Sequence, residues 1–321
     1  MNVLVTGGAG FIGSHVCERL LRDGHRVAIV DELNDFYSPA LKEENLAIVR
    51  SRGPVTFRHA DICDETAIRK LFEESSPDLI IHLAARAGVR PSLEQPLLYE
   101  QVNVRGTMVL LEACRQMGVK NFVFASSSSV YGAANRVPFS EEDQVNKPIS
   151  PYAATKLAGE KICYTYSHLY GIRTVCLRFF TVYGPRQRPD LAIRKFTDMI
   201  SRGVAIPLFG DGSSSRDYTF IDDIVDGVLA AARHDCGYEI FNLGNSSPVA
   251  LLTMVRTIEE ALGKPAQIEW LPDQPGDVPI TCADVGKAQR LLGYSPQTPF
   301  PAGIRKFLDW YLPRAISSAT T

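Results

Sequence analysis

The 321-residue chain predicts an α/β fold, a doubly wound parallel sheet followed by a smaller C-terminal domain. Three observations carry that reading. Apolar runs of strand length alternate with segments of helical period, the pattern of parallel strands joined by crossover helices. A glycine-rich turn joins the first run to the first helix, and an acid closes the second run. After Gly184 the texture changes: Pro185, Pro189, Pro207, Gly210 and Gly212 cut the chain into shorter pieces, and proline-rich stretches follow at 272–279 and 296–301. The division expected is therefore 1–184 for the sheet and 185–321 for the smaller part, with segments near 217–249 returning to the sheet.

Taken in order, strands are expected at 2–6, 26–31, 55–58, 79–83, 121–125 and 174–177, and helices at 11–21, 66–74, 99–117 and 151–170. Residues 3–13 read Val-Leu-Val-Thr-Gly-Gly-Ala-Gly-Phe-Ile-Gly. Gly7, Gly10 and Gly13 are spaced G-x-x-G-x-x-G, which permits a tight turn, close approach of backbone to a pyrophosphate, and close helix–strand packing. Phe11 and Ile12 open the helix whose N-terminus would hold that pyrophosphate. The second strand ends in Asp31, with Asn34 just beyond it. A carboxylate there binds both ribose hydroxyls of an adenosine and repels a 2′-phosphate, so NAD is favoured over NADP.

Asp61 and Ile62 follow the third strand, where an adenine ring would lie. His82-Leu83-Ala84-Ala85 ends the fourth with small residues that suit close approach of a cofactor. His82 itself reads as a packed histidine. The amide of Asn103, on the helix at 99–117, suits a strand-end backbone group beside the cofactor. The fifth strand runs into Ser126-Ser127-Ser128-Ser129, hydroxyls at the carboxyl end of a central strand, and Ser127 is placed to share a proton with Tyr152.

Tyr152 and Lys156 lie four apart on one face of a helix. Ser150-Pro151 before them reads as N-cap and first helical residue, which seats the pair near a positive helix end. A neighbouring ammonium favours the phenolate, so the pair suits a proton acceptor near neutral pH. Tyr152 and Lys156 also face the cofactor position, as does Ser126. Arginines Arg90, Arg186, Arg188 and Arg216 sit in loops flanked by glycine and proline, a setting for fork-like recognition of phosphate or carboxylate.

Bulk properties narrow the class. Charges of 34 Lys+Arg against 36 Asp+Glu give −2, so no nucleic-acid partner is expected. The seven cysteines, Cys17, Cys63, Cys114, Cys163, Cys176, Cys236 and Cys282, are scattered without C-x-x-C, which suggests neither a disulfide frame nor a metal site. No membrane-length apolar run and no basic leader precede the first strand, so a reduced, cytoplasmic protein is expected.

On these motifs, Gly7 to Gly13, Ser150-x-Tyr152-x-x-x-Lys156, the serine run and Arg178-Phe-Phe-Thr-Val-Tyr-Gly184, the chain resembles the extended short-chain dehydrogenase/reductase superfamily over essentially its whole length. Such proteins have a Rossmann domain and a smaller substrate domain. Within it the chain is similar to nucleotide-sugar 4-epimerases, most to those acting on UDP-glucuronate, through Ala87-Gly-Val-Arg90, Phe180 to Asp190, Phe209-Gly-Asp-Gly212 and Ser215-Arg-Asp-Tyr-Thr219. The resemblance implies a catalytic set of Ser127, Tyr152 and Lys156 with NAD. It implies that Phe209, Arg216 and Asp277 hold the UDP moiety, and that Ser128, Ser129, Thr181 and Arg188 surround the sugar carboxylate. It also implies a homodimer through the helices at 99–117 and 151–170. Related 4,6-dehydratases carry Asp-Glu at 128–129 and related decarboxylases a Glu at 129; serines stand at both positions here. The alternatives are UDP-glucose or UDP-N-acetylglucosamine 4-epimerisation, UDP-glucuronate decarboxylation, and a non-catalytic NAD-binding sensor, against which the intact Ser127, Tyr152 and Lys156 argue.

Overall fold

A computed structural model describes residues 1–133, 136–272 and 278–319. The strands are β1 Asn2–Thr6, β2 Arg26–Asp31, β3 Val55–His59, β4 Leu79–His82, β5 Asn121–Ser127, β6 Arg173–Phe179, β7 Thr181–Tyr183, β8 Ile206–Phe209, β9 Ser215–Phe220, β10 Tyr238–Leu243, β11 Pro248–Ala250 and β12 Ile268–Leu271. The helices are α1 Phe11–Arg22, α2 Pro39–Arg52, α3 Glu65–Ser75, α4 Val89–Glu94, α5 Pro96–Glu100, α6 Gly106–Met117, α7 Pro151–Tyr170, α8 Ala192–Arg202, α9 Ile221–Arg233, α10 Leu251–Leu262, α11 Gly286–Leu292 and α12 Phe300–Ala319.

Seven strands form one parallel sheet in the order β10-β6-β5-β4-β1-β2-β3. Successive side chains on a strand point to opposite faces, and both faces are covered. Val3, Val5, Ile29, Ile81, Val123 and Val175 pack on one side with Val16 and Leu20 of α1, Val49 of α2 and Val228 of α9. Leu4, Val30, Ile80, Phe122, Phe124 and Cys176 pack on the other with Leu71 of α3, Leu110 of α6 and Cys163 of α7. The chain winds outward from β1 to β3, then returns to start β4 on the other side of β1. That reversal opens a crevice at the carboxyl ends of β1 and β4, where ligands bind in such sheets. The smaller sheets are β11-β9-β7 and β12-β8.

Three expectations change. The helix at 99–117 is not continuous: α5 ends at Glu100, residues Gln101–Arg105 form a single wider π turn, and α6 begins at Gly106. Arg90 and Arg216, expected in loops, lie in the first turn of α4 and in β9; the fifth strand runs two residues past Ala125, to Ser127. Helix α2 went unread because its inward face mixes Leu46 and Val49 with the buried polar Lys42 and Asn45, which blurs the 3.6-residue period.

One carboxylate organises the segment leading back from β9. Asp217, fully buried, accepts hydrogen bonds from the backbone N–H of Asn245 (2.7 Å), Ala283 (2.9 Å) and Ser246 (3.0 Å). Replacing Asp217 by Ala leaves three backbone donors without their acceptor, one buried and two half-buried, at roughly 1–3 kcal/mol each. Urea denaturation of D217A should show a loss of about 3 kcal/mol or more, with Asp217→Asn, which keeps one accepting oxygen, falling between the two.

Candidate active site

The crevice is a cavity of about 470 Å³. At one end lies the glycine turn. Gly7, with a φ of +70°, donates its N–H to Val30 at 2.9 Å, and Gly10 closes the turn onto the Gly7 carbonyl at 3.1 Å. A Cβ on Gly13 would fall 2.1 Å from that same carbonyl, so α1 can sit this close only with glycine there. Gly10 caps α1 with no side-chain hydrogen bond, and no acid stands in the first turn. The N–H groups at this helix end therefore face the cavity as a site for an anion. Asp31, at the end of β2, accepts from the N–H of Leu33 (3.0 Å) and Ala9 (3.1 Å). Burial pushes its carboxyl up; those hydrogen bonds and the Lys42 ammonium pull it back.

At the other end, Ser150 caps α7 by accepting from the Ala153 N–H at 3.1 Å. Tyr152 and Lys156, two successive turns of that helix, face the end of β5. Lys156 is buried and donates to the Ala125 carbonyl at 2.7 Å, and burial pushes its ammonium down to about 8. Burial pushes the Tyr152 phenol up, while a hydrogen bond to Ser127 and the Arg188 guanidinium pull it down. The expected downward pull from Lys156 is replaced by these two, because the Lys156 nitrogen is 6.0 Å from the Tyr152 ring and committed to the β5 backbone. Tyr99 meets the Tyr152 ring edge-on at 6.2 Å and donates its hydroxyl to Ala87.

The cavity wall brings together most of the residues read from the sequence: Gly7, Gly10, Phe11, Ile12, Gly13, Asp31, Asn34, Asp61, Ile62, Leu83, Ala84, Ala85, Ser126, Ser127, Ser128, Ser129, Tyr152, Lys156, Thr181 and Arg188. Several do not line it. Asn103 sits in the π turn behind the wall, where its amide accepts from the Arg86 N–H at 2.8 Å and donates to the Arg86 carbonyl and the Thr155 hydroxyl. Arg186, with a φ of +64°, points away from the cavity: it pairs with Glu18 of α1 and donates to His15 at 3.1 Å. The pair with Glu18 turns Arg186 toward α1, so the loop's two arginines divide. Arg188 turns into the cavity, stacks over Phe36 at 5.2 Å and grips Asp190 at 2.7 and 2.9 Å. Arg90 stacks on Phe209 at 5.2 Å, and Arg216 donates to the Ser215 carbonyl; none of these three lines the cavity. Asp277 lies outside the described residues. His82 is buried between the hydroxyls of Thr6 (2.7 Å) and Thr107 (3.0 Å), and burial lowers it to about 3, a neutral packed histidine.

Glu32, Phe36, Tyr37, Lys42 and Arg86 also line the cavity and went unread. Lys42 donates to the carbonyl of Asn34 at 2.6 Å and to its side-chain oxygen at 2.9 Å. A lysine in a helix of mixed pattern carries no signal of this. Among the described residues no cluster of metal-ligating side chains occurs.

Residues 3–244 match the NAD dependent epimerase/dehydratase family. The chain belongs to that family. A UDP-glucuronate 4-epimerase from Thermodesulfobacterium geofontis is 44% identical over 308 residues, 96% of this chain and 95% of that one. The crystal structure of UDP-glucuronic acid 4-epimerase from Bacillus cereus in complex with UDP-glucuronic acid and NAD superposes with a TM-score of 0.91 at 37% identity, covering 98% and 100% of the two chains. UDP-glucose 4-epimerase from Thermotoga maritima with UDP-glucose superposes equally well, at 0.91 and 33% identity, over 98% and 100%. The donor set fits NAD: an uncapped helix end for the pyrophosphate, a strand-end carboxylate for the ribose, and small residues between them.

Asp31→Ser should weaken NAD binding about 10- to 150-fold, the loss of a charge-assisted bond of roughly 1.5–3 kcal/mol, and narrow the preference over NADP. Equilibrium fluorescence titration of both dinucleotides measures it.

Proposed function

We propose that the protein is an NAD-dependent 4-epimerase that interconverts UDP-glucuronate and UDP-galacturonate through a transient 4-keto sugar. The observation that carries this reading is the wall opposite the glycine turn. Ser128, Ser129, Thr181 and Arg188 share one cavity with Tyr152, and the acids lining that cavity among the described residues are Asp31, Glu32 and Asp61, all from the ends of β2 and β3. Hydroxyls with a guanidinium make a site for a carboxylate. The fold is shared equally with a UDP-glucose 4-epimerase, so the choice of substrate rests on these four residues.

Bound NAD supplies the hydride acceptor and donor. Tyr152 takes the proton of the sugar 4-hydroxyl, its phenolate favoured by the Ser127 hydrogen bond and the Arg188 charge. Lys156, anchored on β5, holds the positive end of that relay. The ketone then turns in the cavity and Tyr152 returns the proton after reduction from the other face. A 4-keto glucuronate is a β-keto acid, which loses carbon dioxide fastest when the carboxylate bond stands perpendicular to the ketone plane. Ser128, Ser129 and Thr181 hold the carboxylate out of that alignment. Serines stand at 128 and 129, so no carboxylate at those positions is placed to drive elimination or decarboxylation.

Residues 185–321 read as the substrate-facing part, with α9 and β10 returning to the seven-stranded sheet while β9 stays with β7 and β11. A homodimer fits α6 and α7, which expose Met108, Tyr164 and Leu169. Among the described residues no helix is long and apolar enough to cross a membrane, and all seven cysteines are free, which suits a cytoplasmic setting.

Incubated with UDP-glucuronate, the protein should form UDP-galacturonate and no UDP-pentose, separated by anion-exchange chromatography. Formation of UDP-pentose by the wild-type protein, or turnover of UDP-glucose alone, would reject the reading. Tyr152→Phe should lower kcat about 10²- to 10⁴-fold. Ser128→Ala combined with Thr181→Ala should release UDP-pentose alongside the epimer.

A further inference from the structure

Behind the cavity, α7 presents three residues to β5 on successive turns, Tyr152, Lys156 and Glu160. Each meets one of three consecutive strand residues. Tyr152 faces Ser127, which lowers its phenol, Lys156 donates to the carbonyl of Ala125 at 2.7 Å, and Glu160 accepts from the hydroxyl of Ser126 at 2.5 Å. Glu160 is fully buried. On its far side Arg178 of β6, 1% exposed, grips both carboxylate oxygens at 2.9 Å. The remaining Arg178 nitrogen donates to Tyr131 at 3.0 Å, and the Tyr131 hydroxyl donates to the side-chain oxygen of Asn242 of β10 at 2.7 Å. One continuous charged network therefore joins β10, β6, α7 and the residue next to Ser127.

A buried ion pair contributes little to stability over an apolar pair of the same volume, so its place in this core asks for another role. We propose that the Glu160–Arg178 pair is a positioning device for the reaction: it sets how α7 seats on β5 and so aligns Tyr152 and Lys156 with Ser127. The geometry supports this in two ways. Glu160 holds β5 through a side chain, Ser126, at the residue adjoining Ser127, so any slip of helix along strand is felt one residue from the proton relay. The helix also has no slack there, because a Cβ on Gly159 would lie 2.4 Å from the Phe124 ring. Neither Glu160 nor Arg178 lines the cavity, so neither reaches substrate or cofactor directly.

The inference rests on the epimerase reading above, and the two can fail separately. Wild-type turnover of UDP-glucuronate tests that reading; if another UDP-sugar is the one turned over, the variants are compared on it. The variants are Glu160→Met with Arg178→Met, which replaces both charges by apolar side chains of similar length, and Ser126→Ala, which removes the hydroxyl linking Glu160 to β5; Ser126 also lines the cavity, so KM and NAD content are read beside kcat. The double variant should keep its urea midpoint near wild type, while kcat per NAD-loaded molecule falls about 10- to 100-fold with KM and NAD content within twofold, the cost of misplacing reacting groups by about 1 Å. S126A should lose kcat several-fold with the same unchanged KM and NAD content. If the double variant folds and keeps kcat within twofold of wild type, the pair is structural only and the proposal is wrong. If the double variant does not fold, S126A decides on the same twofold criterion.

Discussion

The reactive end of this protein depends on how closely one helix can lie on one strand. Helix α7 carries Tyr152 and Lys156, and β5 carries Ser127; the three meet only if the helix axis comes nearly to contact with the strand. Gly159 makes that possible, since any larger residue would run into Phe124. The same device recurs at the other end of the cavity, where Gly13 lets α1 rest on the carbonyl of Gly7. In both places a missing side chain sets the distance between a helix and a strand end, and the chemistry sits in the gap so defined. The glycine turn lies at one end of the crevice and the α7–β5 contact at the other, so the width of the crevice is fixed from both sides.

Electrostatics in that crevice are arranged by burial as much as by pairing. Burial lowers the Lys156 ammonium and raises the Tyr152 phenol, which opposes the charge separation a proton relay needs. Ser127 and Arg188 offset this at Tyr152. Arg188 thus acts on the Tyr152 phenol from a loop of the second half of the chain, and the same loop anchors itself through Arg186 to Glu18 on α1. Two arginines two residues apart therefore tie the loop to α1 and turn it to the cavity.

Most of the architecture was legible in the sequence because it rests on local rules. The G-x-x-G-x-x-G turn, Asp31 at a strand end and the Ser150-Pro151 start of α7 are short-range signals with steric or capping causes, and the structure places each where the pattern put it. What escaped was set by partners distant in sequence. Arg186 and Arg188 look alike in the chain, and only Glu18, some 170 residues earlier, separates their roles. Lys42 lies in a helix whose pattern gave no period, and its place beside Asp31 follows from the packing of α2 on α1. The contribution of Arg188 to Tyr152 needed the fold to bring residues 152 and 188 to one cavity. The π turn at Gln101–Arg105 was hidden because its residues have ordinary helical preferences.

That π turn has a consequence for how the helix serves two neighbours at once. A regular helix advances about 100° per residue, and a single wide turn inserts one residue without lengthening the helix by a full step. The segment before it and the segment after it are therefore out of phase by about that angle. Tyr99 is directed at Tyr152 and Ala87, while Leu110 and Leu111 of α6 are directed at the sheet. The phase change occurs where the carbonyl pattern loosens, and it is there that Asn103 reaches the Arg86 backbone and Val102 reaches the cavity. Loss of one residue between 101 and 105 would leave a longer-looking, more regular helix whose two halves could no longer both be satisfied. An insertion tolerated at a loop would be neutral; the same length change here is a rotation.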